Sequence, residues 1–152
     1  MRYLLDSNTI SALYDPEAEH NDRISAHVRT LHDHDSLSIS VLSLYELEYG
    51  WANAPEEKKT DIRQVITEIQ TDFTVLALSA QGAGVFGTLK KRIKETRSPS
   101  KENMKKFNID IMLAATAITH QIVLVSADTV YTELHRYAPS LRIENWMEEM
   151  ML

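Results

Sequence analysis

The stretch YLLDSNTISALY, residues 3–14, contains a short apolar strand, an acid and the start of a helix. The same succession of strand and helix recurs along the chain, which is typical of an α/β domain with a mostly parallel sheet. The predicted strands cover residues 3–5, 37–40, 74–78, 122–125 and 141–143. The predicted helices cover residues 8–14, 18–31, 42–53, 55–71, 79–96, 109–120 and 129–136. We therefore expect one five-stranded sheet covered by helices.

Polar residues and prolines mark where several helices should begin or end. Ser79 and Asn108 are expected to cap the helices that follow them. The Ser-Pro-Ser sequence at 98–100 is the clearest loop, and it reads as a loop within one domain.

The length and composition restrict the class of protein. A chain of 152 residues can bury a core as one domain, residues 1–152, without disulfides or a structural metal. Cysteine is absent, which excludes thiol catalysis and fits a reducing compartment, so the cytoplasm is expected. No apolar stretch approaches the roughly 20 residues that cross a bilayer.

The net charge of −6 hides a basic segment. Residues 90–106, KKRIKETRSPSKENMKK, contain eight basic and two acidic side chains, so the rest of the chain has eight basic and twenty acidic ones. Clustered lysine and arginine are what bind nucleic-acid phosphates. The candidate RNA-binding residues are Lys90, Lys91, Arg92, Lys94, Arg97, Lys101, Lys105 and Lys106, and a solvated helix face is the alternative explanation.

Four acids fall at one edge of the predicted sheet. Asp6 follows the first strand, Glu46 lies early in the helix after the second, Asp110 begins the helix before the fourth, and Asp128 follows the fourth. In βαβ units the carboxyl ends of strands and the amino ends of helices meet at the edge where ligands bind. We therefore expect these four side chains to lie together.

Converging carboxylates repel one another unless a cation holds them. Oxygen ligands without cysteine or histidine suit Mg²⁺ or Mn²⁺. Such an ion can lower the pKa of a bound water and stabilise charge on a phosphodiester, so the predicted chemistry is phosphodiester hydrolysis.

Each acid also has a purely structural explanation. Asp6 and Asp128 could be helix N-caps, and Asp110 could complement a helix dipole. The sequence Ser43-Leu-Tyr-Glu46 matches a capping box, in which Glu46 would bind backbone. Their shared position at one sheet edge favours a common site.

The same acids carry a resemblance to a known family. The matching segments are Leu4-Leu5-Asp6-Ser7-Asn8, Ser43-x-x-Glu46-Leu-x-x-Gly50, Asp110-x-x-x-Ala114-Ala115 and Val125-Ser126-x-Asp128-x-x-Tyr131. In order and approximate spacing they resemble the motifs of PIN domains, most closely those of VapC toxins from toxin–antitoxin pairs.

This resemblance implies a three-layer α/β/α domain, a Mg²⁺- or Mn²⁺-dependent endoribonuclease, a homodimer, and a cognate antitoxin that blocks the site. It implies that Asp6, Glu46, Asp110 and Asp128 bind the metal and that Asn8 and Ser126 orient them. The chain departs from the family pattern at a few positions, including Tyr131, where phenylalanine is usual.

Other interpretations remain open. Asp6-Ser-Asn8-Thr9 also resembles haloacid-dehalogenase phosphatases, although Asn8 cannot act as their acid/base. A non-catalytic PIN-fold binding module is the other alternative. His32-Asp-His-Asp35 has metal-ligand residue types but is expected at the opposite sheet edge. The apolar tail, with Trp146, Met147, Met150, Met151 and Leu152, is expected to pack in a dimer or under an antitoxin.

Overall fold

The computed structural model describes residues 1–97 and 100–149. The strands found there are β1 (Arg2–Leu5), β2 (Ser36–Ser40), β3 (Thr74–Leu76), β4 (Val123–Val125) and β5 (Ile143–Glu144). The helices are α1 (Ser7–Leu13), α2 (Asn21–Arg29), α3 (Val41–Asn53), α4 (Glu56–Asp72), α5 (Ala80–Arg97), α6 (Lys101–Lys106), α7 (Asn108–His120) and α8 (Val130–Tyr137).

The sheet is parallel throughout, in the order β3-β2-β1-β4-β5. At its centre, Tyr3 of β1 pairs with Leu37 on one side and Val123 on the other. The first strand of the chain is therefore the middle strand of the sheet, and its carboxyl end lies at the middle of the edge.

Side chains alternate between the two faces of the sheet because successive strand residues point in opposite directions. Leu4 and Leu124 enter one core cluster, packed by α5 to α8. Leu5 and Val125 enter the other, packed by α1 to α4. These layers confirm the predicted three-layer α/β/α architecture.

Several helix boundaries have identifiable causes. The Ser40 hydroxyl accepts the Leu42 N–H at 3.1 Å and begins α3, and the Ser79 hydroxyl accepts the Gly82 N–H at 3.0 Å and begins α5. The second contact confirms the predicted Ser79 cap. At the end of α7, Gln121 adopts a left-handed conformation with φ 53° that stops the helix.

Two predicted boundaries were wrong. The second helix is shorter than residues 18–31, because Asn21 turns its side-chain amide to the carbonyls of Ala12 and Leu13. Asn108 is not a cap: it is the first residue of α7, after Phe107. Residues 3–5, 37–40, 74–78, 122–125 and 141–143 match the five strands to within a few residues.

The helix α6 was not predicted. The Ser100 hydroxyl accepts the Asn103 N–H at 3.3 Å and caps it, and the buried side chain of Met104 anchors it to the core. A single apolar residue among lysines gives no readable helical period, so sequence pattern alone misses this element. Ser98 and Pro99 of the predicted loop lie outside the described residues.

The tail packs on its own chain as far as it is described. The Trp146 ring is 2% exposed and lies 5.1 Å from the Tyr3 ring and 5.4 Å from the His27 ring, centroid to centroid. The expectation that Trp146 offers apolar surface to a partner was therefore wrong. Met150, Met151 and Leu152 lie outside the described residues. Within the described ranges, no helix combines the length and apolar character needed to cross a bilayer.

Candidate active site

The four predicted acids line one open cleft at the carboxyl edge of the sheet. Its lining consists of Asp6, Ser7, Asn8, Glu46, Lys106, Ile109, Asp110, Leu113, Asp128 and Tyr131. The cleft encloses about 270 Å³. Because one water occupies about 30 Å³ of liquid, this volume has room for a hydrated ion or a phosphate group.

Asp6 is fixed by hydrogen bonds to both carboxylate oxygens. Its Oδ1 accepts the Thr9 N–H at 2.9 Å, so the expected capping role exists, and its Oδ2 accepts the Ser126 hydroxyl at 2.5 Å. The Ser126 Oγ in turn accepts the Asp128 N–H at 3.0 Å. One hydroxyl thus connects the turns that carry two of the acids, and capping occupies only part of the Asp6 carboxylate.

Glu46 turns toward the first strand and does not form a capping box. The helix α3 begins at Val41, so Ser43 lies inside it and cannot be its N-cap. The Ser7 hydroxyl lies 3.0 Å from both Glu46 Oε1 and Ser43 Oγ. Glu46 is therefore held beside the Asp6 turn, and the capping-box alternative was wrong.

The other two acids are held by α7 and α8. Asp128 Oδ1 accepts the Val130 N–H at 3.0 Å, and this contact forms the turn that leads into α8. Asp110 Oδ1 accepts the Tyr131 hydroxyl at 3.4 Å. Each carboxylate keeps lone pairs that are not used by these contacts.

Electrostatics distinguish Asp110 from a helix-dipole residue. Burial raises the pKa of Asp110 to about 6, with further increases from Asp128, Asp6 and Glu46 and an opposing effect of the Tyr131 hydrogen bond. A carboxylate whose only role was to complement the amino end of a helix would have a lowered pKa. A pKa raised by burial together with neighbouring carboxylates in a cleft is instead typical of a functional site.

The donor chemistry of this cleft fits a hard divalent cation that keeps part of its water shell. Within the described residues, no three histidine, cysteine, aspartate or glutamate side chains are close enough to hold a metal together. Mg²⁺ commonly retains several waters and binds one or two carboxylates directly. The four acids would therefore hold such an ion partly through water.

Sequence reasoning assigned the orienting roles incompletely. Asn8 is exposed at the cleft and, in the part of the chain that is described, its side chain donates no hydrogen bond to the four acids. Ser7 makes the contact instead, together with Ser43, and Tyr131 contacts Asp110. The position of Ser7 directly after Asp6 was the one available signal for it.

The basic segment divides into residues with different surroundings. Lys106 lines the cleft. Lys91 pairs with Glu95 at 3.7 Å, Lys90 lies over the Phe86 ring, and the Arg97 guanidinium binds the Glu133 carboxylate. Arg92, Lys94 and Lys105 are exposed away from the cleft lining, and the side chain of Lys101 lies outside the description.

The histidine-rich turn lies at the other edge of the sheet. It precedes β2, and Asp35 there pairs with the amino group of Met1 at 3.0 Å. His32 and His34 are therefore separated from the four acids, as the order of elements predicted.

The fold and the cleft together define a class: a three-layer α/β domain with carboxylates at the carboxyl edge of a parallel sheet. The PIN domain family model matches residues 3–137. Since this match covers most of the chain, the chain belongs to the PIN domain family.

Solved structures share this fold at low sequence identity. A chain of VapBC-1 from nontypeable Haemophilus influenzae matches with a TM-score of 0.77 and 21% identity over 97% of this chain and 100% of that one. A chain of VapBC2 from Rickettsia felis, bound to a promoter DNA fragment, matches with a TM-score of 0.75 and 22% identity, over 96% of this chain and 99% of that one. A chain of FitAcB from Neisseria gonorrhoeae matches with a TM-score of 0.73 and 22% identity, over 95% of this chain and 97% of that one. No curated protein sequence matches significantly.

Proposed function

We propose that this chain is a Mg²⁺- or Mn²⁺-dependent endoribonuclease and the toxin of a toxin–antitoxin pair. The observation that carries the proposal is the meeting of Asp6, Glu46, Asp110 and Asp128 in one cleft of a PIN domain. The similar structures from three bacteria include VapBC complexes, which supports the toxin assignment.

The four carboxylates would hold the divalent ion, which when bound supplies a water of lowered pKa and stabilises developing charge on the phosphate. Ser126 fixes the Asp6 carboxylate and the Asp128 turn, and Ser7 fixes Glu46. Lys106 at the same cleft is placed to attract the negative phosphodiester.

The phosphatase alternative lacks its second acid. In that mechanism a residue two positions after the nucleophilic aspartate transfers a proton, and Asn8 occupies that position here. Its side chain has no acidic proton to give, so hydrolysis at a metal-held water is the better account.

The proposal is tested by incubating structured RNA with purified protein in Mg²⁺ or Mn²⁺. Asp6→Asn and Asp110→Asn should each abolish cleavage, as should excess EDTA. Asp33→Asn is the matched control, because Asp33 is an exposed acid at the opposite edge of the sheet and should be dispensable. Cleavage that persists in both cleft variants or in EDTA contradicts the proposal.

The antitoxin would use an apolar groove between α1, α3 and α4. Ile10, Leu47 and Val65 line it together with Asp15 and Asp61. An antitoxin segment that is apolar and carries a basic residue would complement this lining. Because Leu47 directly follows Glu46, an antitoxin segment bound in this groove would lie next to the acid cleft. Val65→Glu should weaken antitoxin binding strongly and leave RNA cleavage unchanged; unchanged binding contradicts this assignment.

The homodimer would use the β3 edge and the first half of α5. Residues 74–89 contain no charged side chain, and Val75 and Leu78 are 39% and 49% exposed. An uncharged surface of this kind suits a second copy of the same chain. Sedimentation should show a dimer for the wild type and a monomer for Leu78→Glu; a dimer in both excludes this surface.

A further inference from the structure

Tyr131 has a buried hydroxyl that reaches the acid cleft. The residue is 1% exposed and its ring belongs to the core beneath α7 and α8. The residue nevertheless belongs to the cleft lining, and its hydroxyl donates to Asp110 Oδ1 at 3.4 Å. Among the described residues this is the one side-chain hydrogen bond that the Tyr131 hydroxyl makes.

A phenylalanine would fill the same core volume without the hydroxyl. Burying a hydroxyl is unfavourable unless it finds a partner, which favours a Tyr131 hydroxyl that stays directed at the Asp110 carboxylate. The bond also crosses between two helices, because Asp110 lies in the first turn of α7 and Tyr131 at the start of α8. The Tyr131 ring thus packs in the core, and its hydroxyl contacts an acid of the cleft.

We propose that Tyr131 is a positioning residue that holds the Asp110 carboxylate toward a divalent ion in the cleft. The proposal rests on the proposed metal-dependent function and specifies how this chain orients one of its acids. Outer groups that orient metal-binding carboxylates change metal affinity without touching the ion.

The helix α8 offers a matched control. The Tyr137 hydroxyl donates to Glu133 Oε1 at 3.3 Å, a similar tyrosine–carboxylate bond on the same helix. Neither Tyr137 nor Glu133 lines the acid cleft. Tyr137→Phe therefore removes the same atom and the same kind of hydrogen bond at a place that should not affect the ion.

The test is the affinity for Mn²⁺ without RNA, measured by isothermal titration calorimetry on the full chain, together with the thermal unfolding temperature. Tyr131→Phe should weaken Mn²⁺ binding about tenfold, while Tyr137→Phe leaves it unchanged. In an Asp110→Asn background, Tyr131→Phe should cause no further loss, because the group on which it acts is gone.

Three outcomes overturn this inference: unchanged Mn²⁺ affinity in Tyr131→Phe, an equal loss in Tyr137→Phe, or additive losses in the double variant. If Tyr131→Phe unfolds, Tyr131→Met, which also lacks the hydroxyl and can fill irregular core space, takes its place, and an unchanged Mn²⁺ affinity in that variant overturns the inference. Failure of the wild type to bind Mn²⁺ at all would instead contradict the proposed function.

Discussion

The carboxylate of Asp6 shows that a structural and a functional role can share one side chain. Its Oδ1 caps α1 through the Thr9 N–H, and its Oδ2 receives the Ser126 hydroxyl inside the cleft. A capping contact therefore does not exclude a site role. Among the four acids, Glu46 is the one whose structural alternative fails outright, because Ser43 lies inside α3.

The stability of the metal-free protein should depend on the ionisation of Asp110. Its pKa is raised from 3.8 to about 6 in the fold, so the folded state binds the proton more tightly than the unfolded chain. Stability from this group is fully present below pH 4 and is lost as the pH rises through 6. A pKa difference of about two units, at about 1.4 kcal/mol per unit, is reduced here because Asp110 is partly exposed. The contribution to the free energy of unfolding is therefore about 1–2 kcal/mol.

Asp110→Asn should consequently be more stable than the wild type at pH 7.5 in EDTA, by about 1–2 kcal/mol. Urea unfolding at pH 4.5 and 7.5 measures this, and the advantage should be smaller at the lower pH. If Asp110 served only the helix dipole, the substitution would instead destabilise the protein at pH 7.5.

Ser126→Ala should affect both stability and metal binding. The substitution leaves Asp6 Oδ2 without its donor and the Asp128 N–H without its acceptor. Loss of such buried contacts costs about 1–3 kcal/mol, and Mg²⁺ affinity should fall about tenfold. Ser79→Ala removes a helix cap that does not line the acid cleft and should lower stability alone; equal Mg²⁺ affinity in both variants would contradict the orienting role.

At the level of elements, α6 brings one basic residue to the cleft. It begins at a serine cap, is anchored by Met104, and ends with Lys106 in the cleft lining. By contrast, Arg97 at the end of α5 is bound by Glu133. The basic residues of segment 90–106 therefore do not all face the same surroundings. The helix α6, which was not predicted from the sequence, places Lys106 beside the acids.

Lys106→Ala should weaken RNA binding because one phosphate contact is lost. The slope of log affinity against log salt concentration should fall in magnitude by about one. Fluorescence anisotropy of a labelled RNA with Asp110→Asn protein, which cannot cleave, measures both quantities. Lys58→Ala, an exposed lysine on α4, is the control and should match the parent. Equal salt slopes for the two lysine variants would exclude a phosphate contact at Lys106.

At the level of the whole molecule, the cleft lies where the two halves of the sheet meet. Its acids follow β1, β2 and β4 or begin the helix before β4, and β1 is the central strand. Binding an ion there would connect both helical layers, since α3 packs one face of the sheet and α7 the other.

Mg²⁺ should therefore stabilise the folded protein in a pH-dependent way. At a concentration one hundred times the dissociation constant, it adds about 2.7 kcal/mol, or about 5–10 °C in unfolding temperature. The increase should be large at pH 7.5 and much smaller at pH 5, where Asp110 with its pKa of about 6 is mostly protonated. An equal increase at both pH values, or one reproduced by sodium chloride of matched ionic strength, would contradict a carboxylate site.

Local patterns in the sequence were enough to predict the alternation of strands and helices and, through it, the edge of the sheet at which the four acids meet. Both follow from local periodicity and from the direction of a βαβ crossover, which need no long-range information. The same reasoning placed His32 and His34 at the opposite edge.

The neighbours that hold each acid, in contrast, depend on how distant parts of the chain pack together. The contacts of Ser7 with Glu46 and of Ser126 with Asp6 join residues 39 and 120 positions apart. The burial of Trp146 on Tyr3 likewise depends on packing between the two ends of the described chain. Such contacts leave no periodic trace in the sequence, because they arise from the way that separate elements pack against one another.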